Sequence, residues 1–233
     1  MEAAFKRLIS GQTRGPLAIM GRGVLWLLSL VYGLLARGRN FAFDSGFKKT
    51  HRADCPVISV GNLTTGGTGK TPVVAHLIHE LSQAGVHAVL LSRGYKAVDE
   101  HANDEKLMLD QMCPGLIHLQ NPDRVLSAQQ AVNTHRADII VLDDGFQHRR
   151  LARGLDIVLI DATCPWGHGF LLPRGLLREP RSGLRRASLV CVTRCDQVDA
   201  QTLTQVKADI GRICGPDVGF FFTEIISLNN NSV

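Results

Sequence analysis

The stretch GNLTTGGTGKTP, residues 61–72, follows the apolar run PVISV directly and precedes a segment with helical periodicity. A glycine-rich loop between a strand and a helix is a phosphate-binding arrangement. Gly66, Gly67 and Gly69 permit backbone conformations closed to other residues, so successive N–H groups can turn inward around phosphate oxygens. Lys70 then reaches the β/γ-phosphates. Thr71 offers its hydroxyl to Mg²⁺ at the helix N-terminus, where the dipole also favours an anion. Pro72 falls in the first helical turn, where a missing N–H costs nothing. Thr64 occupies the first glycine position of the strict G-x-x-x-x-G-K-[ST] pattern. The competing explanation, a glycine-rich turn with an incidental lysine, does not account for strand, glycines, Lys-Thr and helix falling in this order.

From Cys55 onward short apolar runs alternate with amphipathic segments: CPVISVGN, VVAHLIHELSQAG, VHAVLLSRG, and later ADIIVLDDG, LDIVLID and SLVCVTRC. The apolar runs are continuous rather than alternating, as expected of parallel strands buried on both faces. Val73, Val74, Leu77, Ile78 and Leu81 recur at helical spacing, and Gly85 ends that segment. The expected class is α/β, a P-loop NTPase-like, mostly parallel sheet flanked by helices. The tail SLNNNSV is polar and patternless, so residues 227–233 are expected to fray.

A phosphate loop of this kind needs an acidic partner at the end of a neighbouring strand to hold magnesium. IIVLDDGFQH supplies Asp143 and Asp144 after four apolar residues. One carboxylate suits the metal shell and its neighbour a substrate proton, with the pattern not choosing between them. A lone aspartate at a strand end is otherwise a cap or turn residue.

The net charge of +5 and a pI near 9.0 favour anionic partners: nucleic acid, an acidic membrane face or a phosphorylated substrate. No base-stacking aromatic pattern accompanies the charge, so nucleic acid is not expected. Six scattered cysteines, with only one close pair, form no zinc pattern and fit a reduced cytosolic compartment. Near the N-terminus, Gly23 to Ala36 is an uncharged apolar stretch bracketed by Arg22 and by Arg37 and Arg39. At about fourteen residues it falls short of the ~20 needed to span a bilayer. It lies too deep, and lacks the cleavage site, to be a signal peptide. Two readings remain: a buried core helix, or a helix lying in the membrane interface with Trp26 and Tyr32 at the headgroups and basic residues facing anionic lipid. On the second, residues 1–50 form a membrane-associating segment and 51–226 the nucleotide-binding domain.

GNLTTGGTGKTP, LSRGY, DDGFQHRRLARGLDIVLID and GFLLPRGLLREP, in this order behind a hydrophobic helix, resemble the tetraacyldisaccharide 4′-kinase (lipid A 4′-kinase) family. The resemblance covers the chain from about Gly15 to the strand-like GFFFTEI. It implies a P-loop kinase at the cytoplasmic face of the inner membrane, peripheral or monotopic. Such an enzyme uses ATP and Mg²⁺ to phosphorylate the 4′-hydroxyl of tetraacyldisaccharide 1-phosphate, and no protein partner is inferred. Carried over by position, it implies an ATP loop of Thr65, Gly66, Gly67, Thr68, Gly69, Lys70 and Thr71, and metal contacts from Thr71, Asp143 and Asp144. Arg93 and Tyr95 of SRGY, Gln147, His148 and Arg178 are implied acceptor contacts, although Arg93 also suits a solvated surface position and the Arg178 loop a structural role. NDEKLML places Asp104 at the implied catalytic base, seconded by Asp144 and assisted by Lys70. The same spacing suits an N-terminal helix cap by Asn103 or Asp104.

Asn103 and Lys106 replace the usual Gly and Pro around Asp104, and His168 stands where Asn is common. Family members continue into a part with Gly-Ile-Gly-x-Pro and Asp-His-His motifs, neither of which occurs before Val233. A truncated, partial or diverged member is therefore expected, and a nucleotide-binding remnant without catalysis is the alternative. A GTPase switch is a weaker competitor. TRCD (Thr193 to Asp196) imitates the guanine-reading N/T-K-x-D motif with Arg for Lys, but DDGF lacks the D-x-x-G spacing.

Overall fold

The computed structural model describes residues 2–94, 109, 111–215 and 218–223. Tyr95, Asp104 and the 227–233 tail lie outside the described residues. In chain order the elements are α1 (Glu2–Ile9), α2 (Pro16–Asp44), β1 (Val57–Asn62), α3 (Lys70–Gln83), β2 (Ala88–Ser92), β3 (Ile117–Gln120), α4 (Arg124–Asn133), β4 (Ile139–Asp143), β5 (Leu155–Asp161), β6 (Leu189–Thr193), α5 (Ala200–Cys214) and β7 (Gly219–Phe222).

Among the described residues seven strands form one sheet in the order β3-β2-β4-β1-β5-β6-β7, with each of these pairings parallel. The continuous apolar runs have the expected cause. Val89 and Leu91 of β2, with Ile140 and Leu142 of β4, pack on one face with Ala128 and Ala131 of α4. Leu90 and Val141, one residue out of phase, pack on the other with Val74, Ala75 and Ile78 of α3. Each fully buried aliphatic side chain of this kind stabilises the fold by roughly 1.5–3 kcal/mol. A third cluster, with Leu184, Val190, Val192, Val206 and Ile210, secures β6 and α5. β1 lies between β4 and β5, so the chain leaves it for β2 across an intervening strand. The crevice at such a switch point is where open α/β sheets bind ligands.

Helix α2 is longer than its uncharged stretch suggests. It runs for 29 residues, straight through Arg22, Arg37 and Arg39, about twice the length of the uncharged stretch. Arginine is a good helix former, so the charges interrupt the hydropathy without ending the helix. Its most apolar 18-residue window has mean hydropathy 1.7, long and apolar enough by length and composition to cross a membrane. It is not the buried core helix of the first reading, while its exposed apolar face is compatible with the second. Ala18, Ser29, Gly33 and Ala36 face the protein, while Leu17, Ile19, Met20, Val24, Trp26, Leu27, Leu28, Leu30, Val31, Leu34 and Leu35 are exposed. Small residues inward and large apolar ones outward invert the pattern of a soluble surface helix.

Candidate active site

The register of the sheet brings the sequence motifs to one rim. Val60 pairs with Asp143, and Leu91 with Leu142, so the segments after β1, β2 and β4 leave the sheet side by side. The loop after β1 turns through Gly66 (φ 118°) and Gly69 (φ 79°), conformations that favour glycine. Gly69 caps α3 with no side-chain hydrogen bond, which leaves the first N–H groups of the helix directed at the loop's interior. Lys70 and Thr71 are the first two residues of that helix. The loop is held from beneath. Asn62 Nδ2 donates to Thr68 Oγ1 at 3.0 Å, and Thr193 Oγ1 donates to the Thr68 carbonyl at 2.9 Å. The Thr65 N–H donates to the Leu176 carbonyl at 2.7 Å, tying the loop to the LLPRGLLREP segment.

Asp143 closes β4, and Asp144 follows in the left-handed region at φ 51°, which turns its carboxylate toward the loop. Lys70 Nζ lies 3.8 Å from Asp144 Oδ1, and Arg178 Nη1 lies 2.7 Å from both Asp144 oxygens. Burial alone raises the pKa of Asp144, but Arg178, Lys70 and Arg124 outweigh it and hold the carboxyl below its ordinary value.

These residues border a cavity of about 440 Å³ whose lining includes Thr65, Arg93, Asp144, Gln147, His148 and Arg178 from the sequence motifs, and Tyr32, Arg39 and Arg124 besides. Among the described residues that line it there are four arginines and one carboxylate, a balance suited to a phosphorylated ligand. Gln147 is fixed by donating from Nε2 to the Asn62 carbonyl at 2.8 Å and to Glu179 Oε1 at 3.1 Å. His148 is neutral at physiological pH. Burial first, then Arg124, Arg150 and Arg153, lower its pKa to about 4. Its Nε2 is buried with no hydrogen-bond partner among the described residues. His168, the other departure from the usual pattern, has a left-handed backbone (φ 63°) in a short 3-10 turn.

Three contributors were not placed at the site by the sequence. Arg124 is 5% exposed and donates to the Asp143 carbonyl at 3.4 Å. Asp123, which accepts the Val125 N–H at 3.0 Å, sets the start of α4 and so the place of this arginine, a cap signal visible in NPDR. Glu179, fully buried, accepts from Asn40, Gln147 and Arg186. Tyr32, expected at the headgroups, instead turns inward from α2, lines the cavity and donates to the Arg178 carbonyl.

The donor set fits Mg²⁺, a hard cation that takes few protein oxygens and completes its shell with phosphate and water. Among the described residues no group of three or more His, Cys, Asp and Glu could hold a metal alone. Thr71 lies in the first turn of α3, Asp143 ends β4 with Asp144 next to it, and Asp144 is engaged by Lys70 and Arg178.

The family model for tetraacyldisaccharide-1-P 4′-kinase matches residues 22–216. The tetraacyldisaccharide 4′-kinase of Anaeromyxobacter sp. (strain Fw109-5) is 43% identical over 214 residues, 83% of this chain and 58% of that protein. That of Geobacter sulfurreducens is 40% identical over 208 residues, 82% of this chain and 59% of that protein. The solved structure of LpxK from Aquifex aeolicus in complex with ATP matches with a TM-score of 0.67 at 34% identity, covering 73% of this chain and 58% of that one. The chain thus spans somewhat more than half the length of the curated relatives it matches.

Proposed function

The chain belongs to the tetraacyldisaccharide-1-P 4′-kinase family, and we propose that it is a lipid kinase acting at the cytoplasmic face of the inner membrane. It transfers the γ-phosphoryl group of ATP to the 4′-hydroxyl of tetraacyldisaccharide 1-phosphate. The observation that carries this is the meeting of Lys70, Asp144 and Arg178 where the phosphate loop opens into the arginine-lined cavity. Residues 1–50 serve as the membrane-associating segment and 51–226 as the kinase domain.

The loop from Thr65 to Thr71 binds the triphosphate, with backbone N–H groups and Lys70 on the β- and γ-phosphates. Thr71, Asp143 and Asp144 would hold Mg²⁺, which when bound would supply charge neutralisation on the phosphate oxygens. The 4′-oxygen attacks phosphorus in line, its bond to phosphorus forms as the bond to the β-bridging oxygen breaks, and ADP leaves. Asp104 takes the hydroxyl proton. Asp144 is the second candidate for that role, and its ionised state at neutral pH suits it. Arg93, Tyr95, Gln147, His148 and Arg178 contact the acceptor. The neutral ring of His148 adds no further positive charge there. The acyl chains and the outward face of α2 share the bilayer.

Nothing favours a guanine-specific switch. The Thr193 hydroxyl is spent on the Thr68 carbonyl, and Arg194 is paired with Asp161. Transfer of labelled γ-phosphate from Mg-ATP to tetraacyldisaccharide 1-phosphate in detergent micelles, with excess unlabelled GTP as competitor, tests the proposal. Labelled lipid that GTP leaves undiminished supports it. Nucleotide binding without labelled lipid sinks it.

A further inference from the structure

The inward face of α2 does more than pack against the domain. Ser29, Tyr32 and Asn40 lie along the side of the helix that also carries Gly33 and Ala36, and each is bonded to the segment that leads into Arg178 and Glu179. Ser29 Oγ accepts the Arg174 N–H at 3.1 Å, the Tyr32 hydroxyl donates to the Arg178 carbonyl at 2.8 Å, and Asn40 Nδ2 donates to Glu179 Oε2 at 3.0 Å. A Cβ on Gly33 would come within 2.8 Å of Leu171 Cδ1, so helix and segment are in close contact between these bonds.

Each bond continues toward the reacting centre. The Arg178 backbone, fixed by Tyr32 on its carbonyl and by the Leu63 carbonyl on its N–H (2.8 Å), carries the guanidinium that grips Asp144. Glu179 has no solvent exposure, so its carboxylate depends on its hydrogen-bond partners in place of water. One of them, Gln147, also donates to the carbonyl of Asn62, the last residue before the phosphate loop. The outer face of the same helix is the exposed apolar one.

We propose that Tyr32 and Asn40 are positioning residues for phosphoryl transfer: by holding the Arg178 backbone and the Glu179 carboxylate they couple the seating of α2 on a lipid surface to the Arg178–Asp144 contact. The inference rests on the kinase reading of the site.

Tyr32→Phe removes only a hydroxyl, and Asn40→Ala removes the amide that Glu179 accepts from. In anionic vesicles of phosphatidylcholine and phosphatidylglycerol carrying the acceptor, Asn40→Ala is expected to lower kcat about 10-fold or more and Tyr32→Phe about 3-fold. The KM for Mg-ATP and vesicle partitioning should stay within about twofold of the parent. Leu30→Asp, on the outer face, is expected to weaken partitioning instead. A parallel measurement needs no acceptor: amide exchange at residues 143–148 and 176–180 with and without the same vesicles. Vesicles are expected to slow exchange there about 3-fold or more in the parent protein and not in Asn40→Ala. Parent-like kcat in both variants overturns the proposal, as does loss of ATP affinity in step with kcat. If the parent phosphorylates no acceptor yet its exchange responds to vesicles, the kinase reading fails and the coupling stands. Turnover with exchange blind to vesicles means the reverse.

Discussion

Arg178 places one guanidinium nitrogen 2.7 Å from both carboxylate oxygens of Asp144. Lys70 approaches the same carboxylate at 3.8 Å, so the phosphate-loop lysine and the arginine of the LLPRGLLREP segment meet on one acidic residue. The contact joins a loop read by its glycines to a segment about a hundred residues further along the chain. On the kinase function proposed above, it sets the charge balance where the γ-phosphate and the acceptor hydroxyl would meet.

Replacing Arg178 with alanine should lower phosphoryl transfer by about 100-fold, since a cation aimed at developing charge is lost. Arg178→Lys should recover little, because an ammonium on a flexible stem does not reproduce the placed guanidinium. Steady-state kcat for the two variants checks this, and a lysine variant near parental activity would contradict it.

Thr193 is 1% exposed and its hydroxyl holds the Thr68 carbonyl from the far side of the loop. Thr193→Val keeps the shape and removes the bond, at a cost of about 1 kcal/mol. A rise of about 5-fold in the Kd for Mg-ATP, read by calorimetry, is expected on the same energy scale. An unchanged Kd would show that the loop holds its conformation without this bond.

His148 predicts a stability profile. Its folded-state pKa of about 4 lies below the ordinary 6.5, so between those values the unfolded chain binds the extra proton. Stability contributed by the neutral ring is therefore fully present above about pH 6.5 and is lost as pH falls toward 4. The loss is on the order of 1–2 kcal/mol after discounting for partial exposure. Urea titrations at pH 7 and pH 4.5 should show a smaller difference for His148→Gln than for the parent, whereas equal differences would remove His148 as the cause.

The outward residues of α2 should govern membrane attachment. Leu30 and Leu34 are 47% and 67% exposed. Changing both to aspartate withdraws about 2 kcal/mol of apolar burial per site and adds repulsion from anionic lipid. Partitioning onto phosphatidylglycerol-containing vesicles in a sedimentation assay should fall at least 10-fold, and retention of parental partitioning would place the lipid contact elsewhere.

What was legible in the sequence was local. The phosphate loop, the Asp143–Asp144 pair and the parallel strands declare themselves through glycine spacing and continuous apolar runs, and all fall where those patterns put them. The length of α2 was not legible from hydropathy, because Arg22, Arg37 and Arg39 end an apolar window without ending a helix. The places of Arg124, Glu179 and Tyr32 at the site were illegible for a different reason. They reach the site only when α4, the segment after Leu172 and the N-terminal helix fold against the same rim, and no short motif encodes that meeting. The ion pairs of Asp144 with Lys70 and Arg178 were likewise not legible in the pair itself, since the partners come from distant segments.

The central claim is that Lys70 and its loop drive phosphoryl transfer to the 4′-hydroxyl. The direct test is formation of labelled tetraacyldisaccharide bisphosphate from γ-labelled Mg-ATP by the parent chain and by Lys70→Ala, both verified as folded by circular dichroism. The account predicts product from the parent and a loss of about 100-fold or more in the variant. Equal rates from the two proteins would contradict it.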